Sequence, residues 1–148
     1  MKKILVMLLM TSTLCLGACS HQKCNGGTCS SHPKAEVIHV KKTPAYFAFD
    51  SSVLTAEDRS NLDMVVKRLK SNPKEKVIIS GYTDNVGSKS YNMTLSEQRA
   101  QSAADYLKHQ GICASRIHTK GYGATHFADG NDTSAERARN RRVEVSFQ

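Results

Sequence analysis

The sequence lacks an apolar run long enough to cross a membrane, and it has few acidic residues. Its N-terminal apolar run covers residues 4–10, whereas a helix that spans a bilayer needs about 20 apolar residues. The chain contains 13 Asp and Glu against 21 Lys and Arg, a formal net charge of +8. This cation excess suits an anionic partner, either nucleic acid or anionic lipid head groups. The length of 148 residues, without internal repeats, predicts one domain and a short appendage.

Two common hydrolase motifs are also missing. None of the six histidines lies in an H-E-x-x-H zinc motif, and no G-x-S-x-G nucleophile motif occurs. Asp50 and Asp84 could be imagined as the paired carboxylates of a glycosidase. Nothing in the sequence indicates the substrate cleft that such a pair needs. We therefore expect no catalytic residues, no cofactor and no enzymatic activity.

Residues 1–18 have the organisation of an export signal. Lys2 and Lys3 form a basic segment ahead of the apolar run, and the tetrapeptide LGAC ends at Cys19. Small residues before a cysteine resemble the lipobox of bacterial lipoproteins, in which the signal is cut before a cysteine that then carries lipid. An ordinary secretory signal with a chance cysteine is the alternative. Ser20 follows, as in lipoproteins sorted to the outer membrane. We expect a lipid-anchored outer-membrane protein with its domain in the periplasm, and no nucleic acid partner.

The remaining cysteines predict a local disulfide. Cys24 and Cys29 surround a Gly-Gly turn in CNGGTC, and an exported compartment is oxidising, so we expect these two to be linked. Cys113 would then be a small buried hydrophobe. The alternative is a metal site in which the two cysteines join three histidines of the same segment. These are His21, His32 and His39. Their spacing matches neither a zinc-finger nor a haem-attachment motif, and we expect no metal.

Residues 19–44 are polar and largely without periodicity, which is typical of a flexible tether. Regular patterns begin at residue 45. A strand is predicted at residues 46–50, and Thr55 with Asp58 predicts the capped start of a helix that ends near Asn72-Pro73. Its apolar residues recur with helical spacing. They are Leu62, Val65, Val66 and Leu69.

The second half of this domain predicts two further α/β steps. Residues 76–82 are a β-branched run suited to a buried strand. Ser96 is the predicted cap of a second helix that Gly111 closes, with a narrow apolar stripe at Ala100, Ala103, Ala104 and Leu107. Residues 116–123 and 141–147 predict further strands, separated by a loop or short helix. The order predicts an α+β (α/β) two-layer sandwich with a mixed sheet and both helices on one face.

Four segments together resemble the OmpA-like C-terminal domain of peptidoglycan-associated lipoproteins, porin tails and flagellar stator proteins. They are YFAFDSS, GYTDNVGSKSYNMTLSEQRA, GYGATH and RARNRRVEV. The combined signature TD-x-x-G, N-x-x-L-S-x-x-R-A and N-R-R-V is specific, although each piece alone is weak. The match covers residues 45–148. It implies a β-α-β-α-β-β domain that binds peptidoglycan noncovalently through the diaminopimelate of its stem peptide and that catalyses nothing.

The resemblance also implies a set of ligand residues. In the family, the residue matching Asp84 holds the ammonium of the ligand and the one matching Arg99 holds its carboxylate. The others implied around the same pocket are Thr83, Asn92, Leu95 and Asp50. The sequence departs from the family at Tyr82, where a His is common, and in lacking a proline after GYG. Neither departure removes a charge.

The same residues have structural interpretations. If Ser96 caps a helix, Arg99 lies in its first turn, where free N–H groups and a guanidinium form an anion site; Arg99 could equally be a surface charge paired with an acid. Asp84 could cap its own turn, and Asn92 could be a turn residue or a ligand contact. The four arginines of RARNRR are expected to be solvated or to pair with acids, and none is assigned to the ligand. They are Arg137, Arg139, Arg141 and Arg142.

The resemblance predicts a protein that connects the outer membrane to the cell wall and supports envelope integrity. Its predicted partners are the stem peptide, the membrane through the N-terminal lipid, and proteins of the Tol system or other envelope proteins. The alternatives are an envelope protein-protein interaction module without wall binding and a wall-acting glycosidase.

Overall fold

The computed structural model describes residues 45–148. The export signal, the lipid on Cys19, the Cys24–Cys29 disulfide and the tether lie outside the described residues and stay predictions. The described elements are strand β1 (Ala45–Tyr46), helix α1 (Ala56–Ser71), strand β2 (Val77–Gly81), helix α2 (Lys89–His109), a 3-10 turn (Ala114–Arg116), strand β3 (Ile117–Gly121), helix α3 (Ser134–Asn140) and strand β4 (Arg142–Phe147). None of these helices is long and apolar enough to cross a membrane.

The four strands form one mixed sheet in the order β1-β4-β2-β3. β2 runs parallel to β3, and β4 runs antiparallel to both β2 and β1. Ile79 on β2 pairs with Thr119 on β3 and with Val145 on β4. Helices α1 and α2 pack against each other and against the sheet, and the core lies between these two layers. The predicted two-layer fold with a mixed sheet is confirmed.

Helix α1 begins and ends where its sequence signals place it. The Oγ1 of Thr55 accepts a hydrogen bond from the Asp58 amide at 3.2 Å, and a carboxylate oxygen of Asp58 accepts one from the Thr55 amide at 2.9 Å. This reciprocal capping box satisfies two main-chain donors at the helix start. The four predicted apolar positions, Leu62, Val65, Val66 and Leu69, are buried. Asn72 is the C-cap, directly before Pro73.

Helix α2 begins earlier than predicted. Ser88 is the N-cap and accepts a hydrogen bond from the Tyr91 amide at 3.2 Å. Ser96, the predicted cap, lies inside the helix and is fully buried. Its hydroxyl donates to the Met93 carbonyl at 2.7 Å and accepts from the Gly123 amide at 2.9 Å. A buried serine that joins a helix to a loop has the same sequence appearance as a cap, so the prediction at Ser96 was wrong.

Two strand glycines allow α2 to approach the sheet closely. A Cβ atom on Gly81 would lie 2.0 Å from the Ser96 carbonyl oxygen, and one on Gly121 would lie 2.6 Å from the Ser96 hydroxyl. No real side chain tolerates such distances. The backbone contact fixes the middle of α2 over the ends of β2 and β3. It also positions Arg99, one turn further along the helix.

Two smaller predictions differ from the structure, and one alternative that the sequence left open is decided. The first strand stops at Tyr46, although Phe47 is buried and its amide still donates to the Arg141 carbonyl at 2.9 Å. The chain turns away at Asp50, whose φ is 53°. Cys113 is exposed rather than buried, because its neighbour Ile112 is the residue that enters the core. The loop before β4 contains the short helix α3, which was one of the two alternatives.

Candidate functional site

A small cleft lies where β2 ends and α2 begins, beside the loop after β1 and the start of β4. Its volume is about 170 Å³. Two carboxylates and two guanidiniums line it together with uncharged residues, and we call it the charged cleft. Its lining residues are Phe49, Asp50, Asp84, Val86, Gly87, Tyr91, Asn92, Leu95, Arg99 and Arg141.

Five of the six predicted ligand residues meet at this cleft. Asp50, Asp84, Asn92, Leu95 and Arg99 all line it, although 49 residues separate the first from the last. Thr83 precedes Asp84 but is only 1% exposed and does not line the cleft. The buried Thr83 hydroxyl has no hydrogen-bond partner. The structure therefore brings five of the six predicted residues together, and Thr83 is buried next to them.

Arg99 is fully buried and is held by the main chain. Its guanidinium donates to three carbonyl oxygens, those of Ser51 at 2.8 Å, Tyr82 at 3.0 Å and Ala48 at 3.3 Å. Burial lowers the pKa of Arg99 to about 10, and the nearby carboxylate of Asp84 partly opposes that shift. Arg99 lies in the interior of α2, so the predicted anion site at a helix start was wrong. The alternative of an exposed surface charge was also wrong.

Asp84 has the turn role that the sequence left open, and it also lines the cleft. One carboxylate oxygen accepts a hydrogen bond from the Val86 amide at 3.1 Å, which caps its own loop. The other oxygen pairs with the Nη1 of Arg141 at 3.1 Å. The side chain is only 5% exposed. Asp84 is thus a turn residue that also presents a paired charge to the cleft.

Arg141 is the cleft residue that sequence reasoning missed. Its Nε donates to the Phe47 carbonyl at 3.0 Å, and its side chain is 15% exposed. β4 runs antiparallel to β2, with Val143 opposite Gly81, which places Arg141 beside the loop that follows β2. Only the strand order could have revealed this neighbour.

The other three arginines of the C-terminal motif lie outside the cleft and mostly follow the prediction. Arg142 pairs with Glu144 at 2.9 Å, and Arg139 pairs with Asp129. Arg137 instead donates to two main-chain carbonyls of the preceding loop, at 2.7 and 2.9 Å.

Asn92 and Tyr91 shape the mouth of the charged cleft. Asn92 is buried, and its side-chain amide donates to the Val86 carbonyl at 3.0 Å, so it holds the loop that carries Asp84. The Tyr91 hydroxyl donates to the Asp50 carboxylate, a hydrogen bond that raises the pKa of Tyr91. Together these contacts connect helix α2, the loop after β2 and the loop after β1.

The charged cleft combines two carboxylates with two guanidiniums, so its formal charges cancel. Such a set complements a zwitterion, with an ammonium near the acids and a carboxylate near the arginines. Within residues 45–148, no group of three or more His, Cys, Asp or Glu is arranged to hold a metal ion. The chemistry that this cleft offers is the binding of a small charged group.

The fold and the charged cleft define a small α+β domain with a candidate binding site, and comparison with known proteins gives its family. Residues 46–141 match the model of the OmpA family. The chain belongs to the OmpA family.

Three similar proteins illustrate the range of relatives. The chain is 40% identical to outer membrane protein A of Bordetella avium, covering 84% of this chain and 66% of the relative. It is 42% identical to the peptidoglycan-binding protein ArfA of Mycobacterium tuberculosis, over 69% and 31% of the two chains. It is 43% identical to the probable lipoprotein YiaD of Escherichia coli, over 70% and 48%. The chain thus spans from 31% to 66% of the length of these relatives.

A solved structure supports the same family. The crystal structure of the peptidoglycan-associated lipoprotein from Burkholderia pseudomallei matches with a TM-score of 0.70 at 28% identity, covering 72% of this chain and 91% of that one. The relatives are outer membrane proteins, lipoproteins and peptidoglycan-binding proteins rather than enzymes. This agrees with the expectation that the chain has no enzymatic activity.

Proposed function

We propose that this protein binds peptidoglycan noncovalently at the charged cleft, through the diaminopimelate residue of the stem peptide. The observation that carries the proposal is the meeting of Asp50, Asp84, Arg99 and Arg141 around one small volume. The D-centre of diaminopimelate bears an ammonium and a carboxylate on the same carbon. A neutral set of two acids and two arginines matches that pair of charges. The name of the relative ArfA as a peptidoglycan-binding protein supports this assignment.

The hydrogen-bond donors and acceptors of the cleft allow a specific arrangement. The ligand ammonium lies near Asp84 and Asp50, whose carboxylate oxygens each have more than one acceptor position. The ligand carboxylate lies near the arginines. Arg99 spends three of its five N–H donors on main-chain carbonyls, and Arg141 spends two on Phe47 and Asp84. Both guanidiniums therefore keep donors for a ligand.

The apolar lining suits the rest of the same residue. Phe49, Val86 and Leu95 line the charged cleft beside the four charges. The methylene chain of diaminopimelate would contact these side chains, while its L-centre continues into the stem peptide outside. This arrangement distinguishes diaminopimelate from lysine, because lysine has the ammonium and the methylenes but lacks the second carboxylate.

Co-sedimentation with purified, protein-free cell wall tests the proposal. The full chain, in mild detergent, should pellet with diaminopimelate-type wall and poorly with lysine-type wall. Asp84→Asn keeps the shape of the side chain but removes the charge, and should weaken binding by about 2–5 kcal/mol. Asp132→Asn, at an exposed position outside the cleft, is the matched control and should bind as the native protein does. A folded Asp84→Asn variant that pellets normally would refute this site.

We also propose that the protein is anchored to the outer membrane by lipid on Cys19, with the domain reaching the wall from the periplasmic side. The support is the lipobox-like LGAC segment and the relative named as a probable lipoprotein. One acyl chain gives marginal membrane binding and two or more give a stable anchor, so Cys19→Ser should release the protein or leave it unprocessed. Unchanged membrane partition and electrophoretic mobility would contradict the anchor.

The consequence of these two proposals is a protein that tethers the outer membrane to the cell wall and supports envelope integrity. The tether at residues 19–44 supplies the reach, since about 26 residues extend to roughly 85–95 Å when fully stretched. The Cys24–Cys29 disulfide and the Tol-system or other envelope partners stay predictions from the sequence and the resemblance.

A further inference from the structure

A second cleft opens beside the charged cleft. Its volume is about 300 Å³, and it shares Gly87 and Asn92 with the first. The two clefts therefore lie on either side of the loop that carries Asp84. When diaminopimelate occupies the charged cleft, its neighbours in the stem peptide are within reach of the second cleft, because an extended chain advances about 3.3–3.6 Å per residue.

The walls of the second cleft are held in place by hydrogen bonds. Its far wall is the loop after β3, where the Gly123 carbonyl accepts from the Thr83 amide at 3.0 Å. The Gly123 amide donates to the buried Ser96 hydroxyl at 2.9 Å. The Thr125 hydroxyl donates to the Tyr122 carbonyl at 2.7 Å. The loop is thereby fixed to both β2 and α2, so the cleft is a built feature of the fold.

The chemistry of the second cleft differs from that of the first. No carboxylate lines it, and its one Lys or Arg is Lys89, the first residue of α2. Met93 and Phe127 line it and are 36% and 43% exposed to solvent, so both present apolar surface to a ligand. A ligand ammonium finds no acid here. The cleft suits a flexible aliphatic group that ends in a carboxylate.

We propose that the second cleft binds the carboxylate-bearing residue next to diaminopimelate in the same stem peptide, with Lys89 as its counter-ion and Met93 and Phe127 against its aliphatic part. This inference rests on the proposed function. Stem peptides offer this chemistry on either side of the diamino acid, as a D-isoglutamyl carboxylate or as the carboxylate of a terminal D-alanine. Both are short aliphatic groups with a single negative charge.

Calorimetric titration of the full chain in detergent micelles with defined ligands tests the inference. The ligands are free meso-diaminopimelate, the diaminopimelate tetrapeptide, and two tetrapeptides amidated at either the isoglutamyl or the D-alanyl carboxylate. One of the two amidations should weaken binding about fivefold, which is the size of a partly exposed charge contact. The amidation that has this effect identifies the carboxylate that occupies the second cleft. Lys89→Gln should abolish that difference. Lys67→Gln, an equal charge change at an exposed position of α1, should preserve it.

The outcomes separate this inference from the proposed function. If the tetrapeptide binds but neither amidation changes its affinity, the second cleft is not a subsite and wall binding at the charged cleft stands. The inference also fails if Lys89→Gln retains the full effect of amidation. If neither free meso-diaminopimelate nor the tetrapeptide binds the native protein, both the inference and the proposed function are wrong.

Discussion

Two arginines at opposite ends of the sheet make the same kind of contact in very different surroundings. Arg99 donates to three main-chain carbonyls where β2 ends. Arg116 lies at the other end, just before β3, and donates to the carbonyls of Glu75 at 2.8 Å, Leu69 at 2.8 Å and Asn72 at 2.7 Å. Each guanidinium thus joins a loop to the core.

The difference lies in the acids around them. Near Arg116, the Glu75 carboxylate is already paired with Arg68, whose Nε lies 2.9 Å from it. Near Arg99, two carboxylates and Arg141 face an open cleft. An arginine that donates to three main-chain carbonyls is therefore found near both ends of the sheet. The charged cleft beside one of them is what distinguishes the candidate binding site.

The largest expected effect is on stability, and it sharpens this comparison. Arg99→Ala removes a fully buried side chain and leaves three acceptors without a donor, which should lower the free energy of unfolding by about 3–5 kcal/mol. Arg116→Ala should cost about 1–2 kcal/mol, because Arg116 is half-buried and water can replace its donors. Urea denaturation of both variants measures the difference. Equal losses would show that the two arginines hold the fold to the same extent.

The next effect concerns the packing that positions Arg99. Gly81→Ala places a Cβ against the Ser96 carbonyl oxygen, so α2 must move, and we expect a loss of about 2–3 kcal/mol in the free energy of unfolding. Gly111 is the control, because nothing lies within 4 Å of an added Cβ there and only its φ of 89° resists substitution. Gly111→Ala should cost about 1–2 kcal/mol. Thermal melting of the pair would refute the packing account if Gly81→Ala were the milder change.

The smallest effect is on ligand selectivity. Arg141→Gln leaves the two acids facing Arg99 alone, which changes the formal charge of the cleft from zero to −1. We expect about tenfold weaker binding of diaminopimelate, equivalent to about 1.4 kcal/mol, and a smaller preference for diaminopimelate-type over lysine-type wall. Arg139→Gln, outside the cleft, is the control in the same co-sedimentation assay. A variant with undiminished selectivity would remove Arg141 from the site.

The sequence predicted the elements that local signals specify. Thr55 and Asp58 reveal the start of α1 because both halves of the capping box lie within four residues. The start of α2 was misplaced because the sequence offers a cap at both Ser88 and Ser96. Only the close approach of Gly81 and Gly121 shows that Ser96 is buried between α2 and the sheet.

The charged cleft was also predictable only in part, because it depends on contacts between segments that are distant in the sequence. The resemblance identified Asp84 and Arg99, but the physical explanation for Arg99 was wrong, since it depended on the misplaced helix start. Arg141 could not be found because its position beside Asp84 follows from the pairing of β4 with β2, which no local pattern records.

The measurement that tests the central claim most directly compares the two arginines in one sample. The Nε–H signals of arginine side chains can be followed by ¹H–¹⁵N NMR while the full chain, in micelles, is titrated with a diaminopimelate stem peptide. Binding at the charged cleft predicts that the Nε–H signals of Arg99 and Arg141 shift together and saturate, while that of Arg116 stays in place. A saturating titration that moves Arg116 and leaves Arg99 and Arg141 unchanged would contradict this account.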